Sequence, residues 1–118
     1  MKSLSHFPEV YLYPEVVDFR KGRRSLAAFV QGHLQENPFA PVLFLFMNRK
    51  RDTIKALYWD KTGFAMWEKG LEKERFPWPK PPFPRYFLLT IQQVEWLLEG
   101  VDIWNLKSHV ELNYSRVV

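Results

Sequence analysis

Two short basic runs are the part of this sequence best suited to chemistry. Arg20, Lys21, Arg23 and Arg24 stand against Asp18 alone in residues 18–24, and Arg49, Lys50, Arg51 and Lys55 stand against Asp52 alone in residues 48–55. Each run is net +3 and the remainder of the chain is slightly acidic, so the overall +4 and the pI near 9.4 reflect placement, not a general basic bias. Lysine and arginine gathered in this way attract polyphosphate or an acidic protein surface. The competing possibility is a pair of solvated loops. If the runs meet nucleic acid, Arg20, Lys21, Arg49, Lys50, Arg51 and Lys55 are the residues expected on phosphate, where they position a protein without reading bases.

Aromatic rings interleaved with cations are the second signal. Tyr58, Trp59, Phe64, Trp67, Phe76 and Trp78 fall within a 21-residue stretch beside Lys55, Lys61, Lys69, Lys73 and Arg75. Such rings can stack on bases, yet a small sheet must bury large side chains on at least one face, and core packing competes for each of them. Strand alternation sets Trp59 and Trp67 apart from Tyr58 and Phe64. Trp59, Trp67 and Trp78 are therefore the candidates for a partner-facing side, since rigid rings dominate protein interfaces.

Catalysis, a cofactor and a metal are not expected. Asp18, Asp52 and Asp60 sit at turns, while Glu68, Glu72 and Glu74 alternate with Lys69, Lys73 and Arg75 in the manner of solvated ion pairs. His6, His33 and His109 are far apart and match no ligand spacing, and His33 falls on the inner face of a helix as a core or boundary histidine would. Ser25 opens a helix without a glycine elbow. The absence of cysteine excludes a disulfide framework, a zinc ribbon and a thiol nucleophile, and suits a reducing cytosol. The N-terminus lacks the apolar run of a signal peptide, and the longest apolar run, residues 40–47, is broken by Pro41 and too short to span a bilayer. A cytoplasmic protein with no membrane partner is expected.

The elements that must hold these residues can be read from periodicity. A chain of 118 residues with 47% apolar content supports one domain with a real core. Val10–Tyr13 predicts a short strand between Pro8 and Pro14, at a sheet edge where proline is tolerated. Leu26, Phe29, Val30, His33 and Leu34 recur at helical spacing, which predicts a helix of about 12 to 15 residues. Asp18 would cap it, Arg20 and Lys21 would occupy its first turn against the helix dipole, inviting an anion, and Pro38 would end it. Val42–Phe46 has the uniform apolarity of a central strand. The turn 48–52, the alternating strand 53–60, the turn 60–63 and the strand 64–69 continue it as a three-stranded antiparallel meander, with Phe64 and Met66 facing one way and Ala65 and Trp67 the other.

Five of the nine prolines lie between Pro77 and Pro84, which makes that segment a stiff strap over the sheet or, alternatively, a motif for a partner. Residues 86–89 add an edge strand. Thr90 and Gln93 form a capping box for a helix carrying Ile91, Val94, Leu97 and Leu98, stopped at Gly100. The expected architecture is a single α+β domain over residues 1–104, an antiparallel meander of three to five strands packed with two amphipathic helices, followed by a loosely held tail at 105–118.

The order of these motifs resembles a known family. The run Asp18-Phe19-Arg20-Lys21-Gly22, then Leu26-Ala27-Ala28, Asn37-Pro38-Phe39, Leu43-Phe44-Leu45-Phe46, Asn48-Arg49, Lys55, Leu57-Tyr58-Trp59-Asp60, Gly63-Phe64, Lys69, Leu71-Glu72, Arg75-Phe76, Trp78-Pro79 and the closing Leu97-Leu98-Glu99-Gly100-Val101-Asp102 with Trp104 is similar to the small TnpB accessory proteins, second-reading-frame products of the sixty-six family of bacterial insertion sequences. The similarity runs over about residues 10–104. It implies a non-catalytic helper of DNA transposition, encoded beside a separate transposase that holds the catalytic acids. Element DNA and the transposase are the partners so implied: DNA through the basic surface, or, alternatively, the transposase alone through Trp59, Trp67 and Trp78. Asn105-Leu106-Lys107 stands where family members finish with an arginine-rich tail, so the C-terminus inherits no role in gripping DNA. DNA contact requires the two basic turns to lie side by side and to escape neutralisation by neighbouring carboxylates.

Overall fold

The computed structural model describes residues 4–105. In chain order the elements are a single 3-10 turn (Leu4–His6), β1 (Glu9–Val16), α1 (Arg23–Gly32), β2 (Val42–Met47), β3 (Thr53–Asp60), β4 (Gly63–Gly70), β5 (Phe87–Leu89) and α2 (Ile91–Leu98). All six residues of β2, VLFLFM, are buried. Successive strand side chains point to opposite faces, so a strand with no polar position must be covered on both. The sheet answers that demand with the order β4-β3-β2-β1-β5, which puts β2 in the middle.

The meander β2-β3-β4 is antiparallel throughout, as the alternation predicts. β1 pairs parallel to β2, and β5 pairs antiparallel to the far side of β1. Parallel neighbours need a crossover, and α1 is that crossover, laid over one face of the sheet. The result is an α+β fold with a mostly antiparallel sheet and a helix on each face.

Leu26, Ala27 and Val30 of α1, with Leu34 beyond it, pack on Tyr13, Phe44, Phe46 and Leu57. On the other face Val94, Leu97 and Leu98 of α2 cover Val10, Leu12, Leu43, Leu45 and Ile54. Each leucine fully removed from water contributes about 1.5–3 kcal/mol. The proline-rich segment is a strap over the α2 face, tied at both indoles: Trp78 Nε1 donates to the Pro14 carbonyl at 2.6 Å and Trp104 Nε1 to the Pro77 carbonyl at 2.9 Å.

Three expectations are corrected. β1 is eight residues long and interior, not an edge strand. It tolerates Pro14 because its pairing with β2 is irregular between Leu12 and Val16, where no ladder donor is required. α1 has ten residues, and its N-cap is Gly22 with no side-chain cap; Asp18 lies upstream, its carboxylate engaged with Arg20, so Arg20 and Lys21 precede the helix. The helix also stops well short of Pro38, because the chain turns at Gln35, which holds a left-handed φ of 55°. The anticipated tail falls almost wholly outside the described residues.

α2 is bounded as its sequence predicts. Thr90 Oγ1 accepts from the Gln93 amide at 3.1 Å, Gln93 Oε1 accepts from the Thr90 amide at 2.8 Å, and Gly100 takes the left-handed φ of 88° that follows the helix. Thr90→Ala is expected to lower the unfolding free energy by about 1 kcal/mol. In urea titrations the midpoint should fall with an unchanged slope.

Candidate nucleic-acid interface

The β2–β3 turn is built around Asn48. Its Oδ1 accepts from the amides of Asp52 and Thr53, both at 3.1 Å, and its Nδ2 donates to Asp52 Oδ1 at 2.7 Å. Thr53 Oγ1 donates to the same carboxylate oxygen at 3.0 Å. These side-chain bonds from Asn48 and Thr53 hold the Asp52 carboxyl below its ordinary range. Arg51 takes a left-handed φ of 61°, and its carbonyl accepts from the Phe76 amide at 2.7 Å, while the Asp52 carbonyl accepts from Leu71 at 2.8 Å. With the turn's polar interior satisfied locally, Arg49 and Lys50 remain exposed and Arg51 half-buried. None of the three is ion-paired among the described residues.

The segment after β1 runs beside this turn because β1 and β2 are parallel and end together: the Val17 amide donates to the Met47 carbonyl at 2.8 Å. Asp18 accepts from the Arg20 amide at 2.9 Å and from its guanidinium at 2.7–3.1 Å. The Arg20 side chain is nonetheless 92% exposed. Hydrogen bonds from Arg20 hold the Asp18 carboxyl down to about 2. Lys55 comes to this segment from below. Its residue is only 7% exposed, and Nζ donates to the Phe19 carbonyl at 2.9 Å and sits 4.7 Å from the centre of the Phe19 ring.

Val16, Val17, Phe19, Arg20, Arg49 and Lys50 line one cleft of about 500 Å³, together with Asp18, Asn48 and Asp52. The two basic turns thus lie side by side. Of the six residues expected on phosphate, Arg20, Arg49 and Lys50 line the cleft, Lys21 is exposed just beyond it, and Arg51 closes its turn. Lys55 is placed differently: its ammonium is turned inward to a backbone carbonyl because β3 directs alternate side chains under α1 and the loop before it. Sequence reasoning passed over Asn48 and Phe19, which organise the site. An Asn three residues before a left-handed position and four before an Asp was the available signal for the first; nothing local marks Phe19 as the acceptor for a lysine 36 residues away.

The three tryptophans do not share a face. The two-residue β3–β4 turn pairs Asp60 with Gly63, so odd positions of β3 match even positions of β4. Trp59 therefore sides with Phe64, at 5.1 Å between ring centres, on the sheet face that α1 covers, whereas Trp67 packs against the α2-side cluster. Trp78 is half-buried in the strap. His33 is exposed at the end of α1, stacked on Phe29 at 4.7 Å with Nε2 3.3 Å from the Tyr13 hydroxyl. Among the described residues no group of three or more His, Asp or Glu is placed to hold a metal ion, and no helix is long and apolar enough to cross a membrane.

A sheet covered by a helix on each face, with a basic cleft where β1 and β2 end, defines a small α+β domain built to present a surface. The chain belongs to the family of IS66 Orf2-like proteins, whose family model matches residues 8–108. It is accordingly a transposition-associated accessory protein of the kind insertion sequences encode, as the resemblance over residues 10–104 implies. It is 30% identical to the uncharacterized protein y4jC of Sinorhizobium fredii (strain NBRC 101917 / NGR234) over 68% of this chain and 74% of that protein. It is also 34% identical to the uncharacterized protein y4hO of the same organism, over 72% of this chain and 73% of the relative. No solved structure matches the chain significantly.

Two outcomes follow from the geometry. Lys55→Met keeps the aliphatic stem but leaves the Phe19 carbonyl without its charged donor, a loss of about 1.5–3 kcal/mol. Hydrogen exchange should then speed up at the Val17 and Lys21 amides and stay unchanged in α2. Because the folded-state Asp18 carboxyl titrates at about 2 against an ordinary 3.8, its pairing with Arg20 contributes fully above the ordinary value and is lost as pH falls through about 2. Carboxyl-carbon NMR should place its midpoint near the lower value; a midpoint at the ordinary value would mean the pair is not held in solution.

Proposed function

We propose that this chain is a non-catalytic accessory factor that binds the DNA of its insertion sequence along the phosphodiester backbone, acting in the cytoplasm beside the transposase. Lys21, Arg49, Lys50 and Arg51 supply the cations. Arg20, exposed although paired, can exchange its carboxylate for a phosphate, and Lys55 holds the loop that presents it. The observation that carries this assignment is the single cleft shared by residues 16–20 with Asn48, Arg49, Lys50 and Asp52. Its two acids do not cancel the charge, since Asp18 and Asp52 stand against five cations in the two turns, Arg20, Lys21, Arg49, Lys50 and Arg51, and among the described residues Asp18 is ion-paired with Arg20 alone.

Side chains reaching from turns to backbone phosphates confer weak sequence preference and strong salt dependence. Fluorescence anisotropy with a labelled duplex tests both. Three to four phosphate contacts predict a loss of affinity of roughly 40- to 150-fold between 50 and 200 mM salt. Arg49→Ala with Lys50→Ala should weaken binding for every sequence alike and flatten the salt slope by about 1.8. No binding at low salt, or a slope untouched by the double substitution, would exclude this surface.

A further inference from the structure

The basic cleft occupies one end of the sheet, and a different surface occupies the other. β3 leaves the Asn48–Asp52 turn at Thr53 and ends at Asp60, so its eight residues separate the two ends by about 25 Å at ~3.3 Å per residue. At the far end Phe39 is 52% exposed, the most exposed large hydrophobic side chain among the described residues. It is held there: the Phe39 amide donates to Asn37 Oδ1 at 3.0 Å and the Ala40 amide to the Asn37 carbonyl at 3.1 Å. Its ring centre lies 4.9 Å from Trp59 and 5.3 Å from Phe64, and Trp59 and Phe64 meet each other. A concavity of about 290 Å³ opens beside this triad, with Phe7, Phe39, Pro41 and Trp59 giving apolar walls and His6 and Lys61 polar ones. Among the described residues no carboxylate lines it.

We infer that this concavity is a docking site for a protein segment that carries one apolar anchor flanked by acidic side chains. The anchor is received by fixed aromatic walls, the arrangement in which binding hot spots form. The flanking acids answer Lys61, which is exposed and set by a left-handed φ of 55° in the two-residue turn. Nucleic acid fits less well. Phe39 and Trp59 meet edge to face at 75°, so they do not form an open pair of parallel faces for a base, and one lysine makes no track for successive phosphates. A second copy fits less well too, because a two-fold contact through this patch would set Lys61 against Lys61. The site stands apart from the basic cleft and does not depend on DNA binding.

The test is a selection of random dodecapeptides displayed on phage against the full chain, followed by titration of the most enriched peptide. Enriched sequences should join Trp, Phe or Leu to neighbouring Asp or Glu. Phe39→Ser and Lys61→Glu should each weaken binding by about tenfold or more, while Arg49→Ala with Lys50→Ala leaves it unchanged. Replacing the peptide's acids by lysine should restore binding to the Lys61→Glu variant. Equal binding by both single variants, or enrichment without acids, would overturn the inference. Displacement of the peptide by oligothymidine would make the patch a nucleic-acid surface, and self-association abolished by Phe39→Ser would make the occupant a second copy; either result also overturns it. Lys61 is exposed, so Lys61→Glu remains decisive if Phe39→Ser does not fold.

Discussion

Everything in this molecule depends on covering β2 from two sides. Six consecutive apolar residues alternate their side chains above and below the sheet, so neither face can be left to water. One face is covered by α1, and the placement of α1 between β1 and β2 makes those strands parallel. Parallel strands finish at the same end of a sheet. The segment after β1 and the turn after β2 therefore arrive together, and the basic cleft follows from a packing requirement inside the protein.

Polar satisfaction then decides which charges are available. Asp52 would be the natural partner for the arginines beside it, but Asn48 and Thr53 already bond to it. Lys55 is the reverse case: a cation of the same run is spent indoors, on a backbone carbonyl that no other described donor reaches within hydrogen-bond distance, and beneath an aromatic ring. A buried ammonium is tolerated only when paired in this way. What is lost in surface charge is recovered as a fixed position for the loop that carries Arg20. Arg49 and Lys50 keep exposed side chains, but the Asn48 bonds and the Lys55 contact fix the backbone from which they and Arg20 project.

The two ends of the sheet divide the remaining chemistry. Loops rich in lysine and arginine gather where β1 and β2 end, and aromatic side chains gather where β3 turns into β4. The Arg51 and Lys61 turns both place a basic residue at a left-handed backbone angle, a conformation that costs a non-glycine residue energy and persists only where its surroundings enforce it. Both residues lie at the tips of hairpins on the same strand, which gives β3 the role of a spacer between two faces of different character.

Much of this was legible in the chain itself. Val42–Phe46, the meander of β3 and β4, the strap and the capped α2 all follow from alternation, proline content and one capping box, because each is a local property of a few residues. The similarity to the family was legible for the same reason, being an ordered series of short motifs. The interior position of β1, its parallel partner and the true start of α1 were not, since proline and an aspartate upstream give the same local signal at an edge or inside. The faces of Trp59 and Trp67 turn on a hairpin register that numbering parity alone misassigns. Residue types and short-range spacing determined the elements and where positive charge would concentrate. Only the tertiary structure decided that the two basic turns adjoin, that Lys55 faces inward and that Phe39 is left uncovered, because those outcomes depend on contacts between residues tens of positions apart, which burial of both sheet faces selects and no local pattern encodes.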